Sequence, residues 1–373
     1  MPGGGGRRQG RSPACSRHAA LVHNAGQCRH HNRKTDAAIA RRNVTVKVLK
    51  RRFLAGICVG LVALISPRTT IAEQATKYPS RPIHIVVGFT PGGGNNIIAR
   101  LFGQKLSESL GQPVIIENRP GAGAILATDY VAKSAPDGYT LLIGASGAMV
   151  INPAVYARLP YDPVRDFIPI SELGSFPLIL IVNAASPLKS VSGLVAYAKQ
   201  NPNKANYSSS SAAFQLATEL FKQKTGAPIQ MIPYKGANDS VVAVIAGEVT
   251  TTIADAGSVW SQITGGQARA LAVAAPKRME ELPDVPTMKE AGADVDAVLW
   301  SGILAPKGTP PDVVRKLQDE FMRIAKLPDV VSRLKLLNID SVGSSSDEFS
   351  RIIASDIARW TEIARIGNVK IEP

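Results

Sequence analysis

IHIVVGFTPGGGNN, at residues 83–96, joins a strand signal, a glycine-rich loop and the start of a helix signal. Ile83–Val87 is an apolar, β-branched run typical of a buried strand. Apolar residues then recur at helical spacing over residues 96–110, and Gly111 ends the pattern. A strand, a short loop and a helix in this order form the first half of a βαβ unit, so this stretch predicts an α/β fold.

The same alternation continues along the chain. Apolar runs predict strands at residues 114–116 (a buried one), 139–143, 178–182, 229–232, 249–253 and 268–274. Helical spacing predicts helices at residues 124–133, 191–200 and 214–224. Strands that alternate with helices indicate a mostly parallel sheet with helices on both faces. Thr309 is the predicted N-cap of a further helix, and Ser345 with Glu348 forms a predicted capping box for the last one.

Charged and reactive residues are distributed unevenly. Lys and Arg number 43 against 29 Asp and Glu, a net charge of +14, but residues 1–72 hold 14 of the bases and one acid. The other 301 residues are therefore nearly neutral, which argues against nucleic acid as a partner. All three cysteines and four of the five histidines also precede residue 73. The body thus lacks the residues for a disulfide framework, a thiol nucleophile or a Cys/His zinc site, and we expect no cofactor and no metal ion.

The first 72 residues have the layout of an export signal. Basic residues from Lys47 to Arg52 precede an apolar run at residues 53–65, and Thr70-Ile71-Ala72 then gives a small-x-small pattern. This order predicts a secretory signal peptide around residues 47–72 and a periplasmic location. The run is shorter than the roughly 20 residues that span a bilayer, so an uncleaved anchor is the weaker alternative. Residues 1–43 are interpreted as a disordered leader or as the result of a start site assigned too far upstream.

Several loops follow predicted strands and precede predicted helices. In open α/β sheets, ligands bind beside the loops at the carboxyl ends of the strands. The unpaired amides of a helix start favour an anion there. Three glycines in the first loop allow close approach of a ligand, and Asn95 or Asn96 is predicted to cap the helix. The candidate ligand-binding residues of these loops are Phe89, Thr90, Gly92, Gly93, Gly94, Asn95, Asn96, Ser146, Gly147, Ser209, Ser210, Ser211, Tyr234 and Asp255. Because the loops carry few cations, amides and hydroxyls would hold the anion.

Enzyme motifs in these loops are incomplete. Ile97 stands where the dinucleotide fingerprint needs its last glycine, and the chain has no Gly-Lys dipeptide for a P-loop. Ser146 resembles the serine of a nucleophile elbow, but Ala148 replaces the second glycine of that motif. His84 lies inside an apolar strand and is interpreted as structural. A secreted α/β hydrolase that uses Ser146 remains the enzymatic alternative.

A set of short motifs in the body points to one family. They are YPSRPI (78–83), the loop at 89–96, ENRPGAG (117–123), APDGY (135–139), INP (151–153), YSSS (207–210), PYKG (233–236), RALA (269–272), LPDVPT (282–287) and LAP (304–306). Together they resemble the substrate-binding receptors of tripartite tricarboxylate transporters, the Bug or TctC-like proteins. The resemblance covers nearly all of residues 78–373.

The resemblance implies a two-domain periplasmic-binding-protein clamshell, type II-like, behind the leader at residues 1–72. Domain 1 would be discontinuous, at residues 77–182 and 299–373, and domain 2 would span 183–298, with crossings near Asn183 and Trp300. The first loop and the Ser146 loop would cradle a carboxylate, and the 208–211 loop with the Asp255 region would close on it.

The resemblance also implies partners and a role. The ligand would be a small carboxylate, the partner a two-subunit integral membrane permease, and the mature protein a monomer without catalytic activity. The family commonly has an acidic residue after the glycines, where this chain has Asn95-Asn96. A neutral side chain there favours a plain carboxylate over an amino acid. A sensory or adaptor protein of the same fold is the other alternative.

Overall fold

A computed structural model describes residues 78–371, and the predicted leader and signal peptide lie outside these residues. The strands are β1 (Ile83–Val87), β2 (Val114–Asn118), β3 (Thr140–Ala145), β4 (Phe167–Phe176), β5 (Leu178–Asn183), β6 (Asn206–Ser209), β7 (Gln230–Pro233), β8 (Thr252–Asp255), β9 (Ala268–Val273), β10 (Leu299–Pro306) and β11 (Asp340–Ser341). The helices are α1 (Gly94–Leu110), α2 (Ile125–Ala132), α3 (Asn152–Val155), α4 (Val191–Gln200), α5 (Ala212–Thr225), α6 (Ala237–Ile245), α7 (Ala256–Thr264), α8 (Pro311–Ile324), α9 (Pro328–Lys335) and α10 (Ser346–Ile366). Within this described part, no helix has the length and apolar character to cross a membrane.

Six strands form the first sheet, in the order β11-β4-β10-β3-β1-β2. β1 pairs in parallel with β2 and β3, whereas β10 runs antiparallel to β3 and β4. The amphipathic helices α1 and α8 cover one face through Phe102 and Phe321. α10 covers the other face through Phe349 and Trp360. Because helices bury both faces of this sheet, the loops that carry the predicted ligand-binding residues lie at the ends of its strands.

The remaining strands form a second group. β5 lies between β8 and β9 and is antiparallel to both, while β6 and β7 form a parallel pair. A parallel bridge from Tyr207 to Thr251, the residue before β8, joins the two parts, so β6, β7 and β8 run in one direction. The chain leaves the first sheet at Pro177, between β4 and β5, and returns after β9 to enter β10.

The predicted α/β class is confirmed, but the sheets are mixed rather than mostly parallel. Parallel neighbours need a crossover connection, as between β1 and β2. β4 instead runs directly into β5, and β10 comes back into the first sheet beside β4 in the opposite direction. Every strand pair that involves β4 or β10 is therefore antiparallel.

Some local predictions hold and others need correction. The capping box of α10 is present, with Ser345 Oγ accepting from the Glu348 amide at 3.2 Å. Thr309 is not the N-cap of α8, because Pro310 holds that position and the Thr309 hydroxyl donates to the Pro306 carbonyl at 2.8 Å. β2 is not buried, because it lies at the sheet edge and leaves Ile115 42% exposed.

Candidate functional site

The loop after β1 presents free backbone amides. Gly93 is the N-cap of α1, and its carbonyl accepts from the amides of Asn96 and Ile97, both at 3.0 Å. Within residues 78–371, the amides of Gly93, Gly94 and Asn95 have no acceptor. Three unpaired donors at the positive end of a 17-residue helix form a ready anion site. The prediction that Asn95 or Asn96 caps this helix is wrong, because both lie inside its first turn.

Asn96 and Asn118 hold this loop in shape. Asn96 is 2% exposed, and its Oδ1 accepts from the Gly92 amide at 3.3 Å and from Arg100 Nε at 3.1 Å. Its Nδ2 donates to Asn118 Oδ1 at 3.0 Å, and Asn118 Nδ2 donates to the Phe89 carbonyl at 2.8 Å. The buried Asn96 side chain therefore holds the loop through these hydrogen bonds and is not available to a ligand. The motif around Asn118 was visible in the sequence, but not this supporting contact.

Ser146, at the end of β3, lies beside this loop because β3 pairs with β1. It is 3% exposed, and its Oγ accepts from the Trp300 amide at 3.3 Å. Asn95 Oδ1 accepts from the Ser301 hydroxyl. Residues at the start of β10 thus contact both the first loop and the Ser146 loop. No sequence motif indicated this role of Trp300 and Ser301.

Glycines leave open space where these two loops meet solvent. A side chain added at Gly93 or at Gly147 would find no atom within 4 Å. At Gly94 the opposite holds, because an added Cβ would lie 2.7 Å from Phe176 Cε1. Gly92 has a φ of 95°, which disfavours any side chain. The loop is therefore closed against Phe176 at its base and open at Gly93.

The predicted residues of the second group of strands lie at or just after the ends of β6, β7 and β8 and share one edge. Ser211 caps α5, accepting from the Phe214 amide at 3.4 Å, and Asp255 caps α7, accepting from the Ser258 amide at 3.0 Å and its hydroxyl at 2.7 Å. The Tyr234 hydroxyl donates to Glu248 Oε2 at 3.5 Å. These bonds occupy the side chains of three predicted residues, and each of the two capped helices turns its N-terminus to this edge.

Phe176 and Pro177 connect the two sets of loops. Phe176 lies against Gly94, and the Pro177 carbonyl accepts from the Ala256 amide at 3.0 Å. The structure thus brings the first loop and the Asp255 end of β8 to opposite sides of one short connection. Ser209, Ser210 and Tyr234 lie farther along the same edge as Asp255.

A separate cavity of about 960 Å³ lies near the β4–β5 connection, and none of the predicted site residues lines it. Glu172, Asp296 and Asp356 are among its lining residues. An acidic wall repels a carboxylate, whereas the free amides beside Gly93 attract one. We therefore expect a carboxylate at the loops and not in this cavity.

Comparison with known proteins identifies the family. Residues 98–369 match the family described as "Tripartite tricarboxylate transporter family receptor". This chain belongs to the TctC receptor family. The receptor is 36% identical to protein BugT of Bordetella pertussis over 321 residues, 85% of this chain and 97% of BugT.

Solved structures show the fold of the TctC receptor to be that of periplasmic binding proteins. It superposes on R. palustris Rpa4515 with adipate at a TM-score of 0.70 and 34% identity, covering 79% of this chain and 100% of that one. It superposes on MatC of Rhodopseudomonas palustris with bound malate at 0.66 and 29% identity, covering 77% and 99%. A periplasmic binding protein, BugD, matches at 0.67 and 29%, covering 79% and 100%. The matching family is thus a receptor family, and BugD is described as a periplasmic binding protein.

Proposed function

We propose that this receptor captures a small dicarboxylate in the periplasm and delivers it to a two-subunit membrane permease. The observation that carries the proposal is the set of free amides at Gly93, Gly94 and Asn95, at a helix start where Gly93 leaves open space. One carboxylate of the ligand would accept from these donors, and the Ser146–Gly147 loop would form the adjoining wall. This grip requires neither a cofactor nor a metal ion.

The ligand class draws support from two relatives. Rpa4515 was solved with adipate and MatC with malate, and both compounds are dicarboxylates. The neutral Asn95 and Asn96 offer no carboxylate to pair with an ammonium group. A plain dicarboxylate therefore suits the first loop better than an amino acid.

Closure of two domains would complete the site. The proposed domains are residues 77–182 with 299–373, and residues 183–298, with one adjustment at their boundary. β5 (Leu178–Asn183) pairs with β8 and β9, so it belongs with the second domain rather than the first. Ser209, Ser210, Ser211, Tyr234 and Asp255 would approach the ligand from the second domain. Because the ligand would contact both domains only in the closed state, binding would shift the population towards closure.

Calorimetry on the exported chain, starting at Glu73, tests the proposal. We expect saturable binding of adipate or malate and no binding of their diamides. A ligand at 100-fold its dissociation constant should add about 2.7 kcal/mol to the free energy of unfolding. Absence of binding for a panel of dicarboxylates would refute the proposed ligand class.

Two further experiments address the alternatives. Turnover of an ester that disappears in Ser146→Ala would favour the hydrolase. Co-purification with a sensor protein, and not with an integral membrane permease, would favour the sensory role. We do not expect hydrolysis, because Ser146 Oγ accepts from a main-chain amide and the ring of His84 is bonded to Glu117 at 2.5 Å.

A further inference from the structure

We propose that the cavity beside the β4–β5 connection is a second binding site, which takes a small organic ammonium ion such as a protonated primary amine. Its volume of about 960 Å³ is at the upper end of the range for small-molecule pockets. It is lined by the end of β4, the segment after β9, the chain leading into β10, and helices α9 and α10. None of the carboxylate-site residues named above contributes to it.

The inner wall carries a carboxyl group without a partner. Glu172, on β4, is 7% exposed, and its side-chain oxygens have no hydrogen bond or ion pair to any residue in 78–371. Its backbone, by contrast, is fully engaged, since the amide donates to Ser344 Oγ at 2.9 Å and the carbonyl accepts from Gly343 at 2.9 Å. A carboxylate with little access to solvent and no partner is unfavourable. A proton or a bound cation would therefore stabilise the Glu172 side chain.

The neighbouring acid makes the wall more negative. Asp356, on α10, is 9% exposed and accepts from Trp300 Nε1 at 2.8 Å and from Arg359 Nη2 at 2.9 Å. Burial and the charge of Asp356 raise the pKa of Glu172 to about 7. Partial desolvation by the surrounding protein also raises the pKa of Asp296, an exposed residue that lines the same cavity. The wall therefore attracts a cation over the pH range near neutrality and above.

The Lys and Arg side chains that line this cavity interact with residues other than Glu172. Three of the four have acceptors, although the Nε of Arg359 has none, and the fourth, Lys277, is exposed and helps to lower the pKa of Glu280. The bonded cations are Arg278 with Glu290 (2.8 Å), Lys335 with Glu280 and Glu281, and Arg359 with Asp356 and the Asp296 carbonyl (2.9 Å each). None of them reaches Glu172, so the missing cation would come from outside the chain.

The lining favours an organic cation over a metal ion. Within the described residues, no group of three or more His, Cys, Asp or Glu side chains converges closely enough to hold a metal. Apolar side chains adjoin the acids, including Val298, Val331, Val342 and the 3%-exposed Trp300. An alkyl chain can pack on these side chains while its ammonium group donates to Glu172. Propylamine and 1,4-diaminobutane have both features.

Calorimetric titration of the exported receptor with propylamine and with 1,4-diaminobutane tests this site. At pH 8 we expect saturable binding, and at pH 6 an affinity about tenfold lower, because the ionised fraction of a carboxyl group with a pKa of about 7 falls roughly tenfold over that interval. Glu172→Gln should abolish amine binding. Glu280→Gln is the matched control at the exposed rim and should keep it.

Outcomes that overturn the proposal are equally definite. Absence of saturable amine binding by the wild-type receptor at pH 8 would do so, as would equal binding by Glu172→Gln. Displacement of the amines by equimolar potassium would show a nonspecific cation site and also overturn it. Asp296→Asn, at an exposed position, offers a second variant that should weaken binding several-fold if Glu172→Gln does not fold. Adipate titrations of the same proteins separate this site from the carboxylate site, which the substitutions should leave unchanged.

Discussion

Substitution of Gly93 by valine isolates the role of the free amides at the start of α1. The backbone there has a φ of −76°, which any residue adopts, and no atom lies within 4 Å of an added Cβ. Folding should therefore survive. The expected loss is about 1 kcal/mol, the usual difference between a favourable and an unfavourable N-cap residue.

Binding should suffer far more than folding. The valine methyl groups would fill the space in front of the Gly94 and Asn95 amides and displace the carboxylate from both. A hydrogen bond to a charged acceptor contributes about 1.5–3 kcal/mol, so losing two lowers the affinity roughly 150-fold or more. Gly93→Ala, with a single methyl group, should give an intermediate loss.

Calorimetry with adipate and chemical denaturation of the same variants measure the two effects side by side. Ser190→Ala is a matched stability control, since it removes the Ser190 cap of α4, in which Oγ accepts from the Gly193 amide at 3.1 Å. It should lower stability by about 1 kcal/mol and leave adipate affinity unchanged. A folded Gly93→Val receptor with wild-type affinity would refute the assignment of the carboxylate to this helix start.

Three other predictions concern the supports of the site and the fold. Asn118→Ala removes the bonds to Asn96 and to the first loop, and calorimetry should show adipate affinity reduced about tenfold with the protein still folded; unchanged affinity would show that the loop needs no such support. Glu172 has a pKa raised from 4.5 to about 7, so its protonation stabilises the folded state fully below pH 4.5, and this contribution of about 3 kcal/mol is lost as the pH rises through 7. Urea titrations from pH 4.5 to 8 should therefore show a pH dependence that Glu172→Gln lacks, and identical slopes would contradict the burial argument. Ser345→Ala breaks the capping box with Glu348 and should cost about 1 kcal/mol in denaturation without any effect on adipate binding, whereas a change in affinity would mean that α10 communicates with the site.

Periodicity and cap residues predicted much of the fold. The strand at residues 83–87, the helix that ends at Gly111 and the helix at residues 191–200 all occur where apolar spacing put them. β4 and β10 could not be found in this way. Their sequences FIPISELGSF and LWSGILAP interrupt the apolar pattern with Pro, Ser, Gly and Glu, and they are strands because both neighbours in the sheet pair with them.

The candidate site was partly predictable for a similar reason. A glycine-rich loop between a strand and a helix predicts free amides, and in the structure the amides of Gly93, Gly94 and Asn95 have no acceptor among the described residues. The position of Asn96 was not predictable, because its burial depends on Asn118, 22 residues away. Glu172 gave no signal either, since a lone acid in a strand becomes unusual only when packing removes its water and its partners.

The proposed grip by main-chain donors has an evolutionary consequence. Every amino acid except proline supplies the same N–H, so point mutations around the loop can reshape the neighbouring surface without dismantling the hold on the acid group. Selection for a new nutrient is then free to act on the rest of the molecule being carried, its length, hydroxylation or second acid group. One scaffold can in this way diversify into many receptors while the anchoring step stays the same.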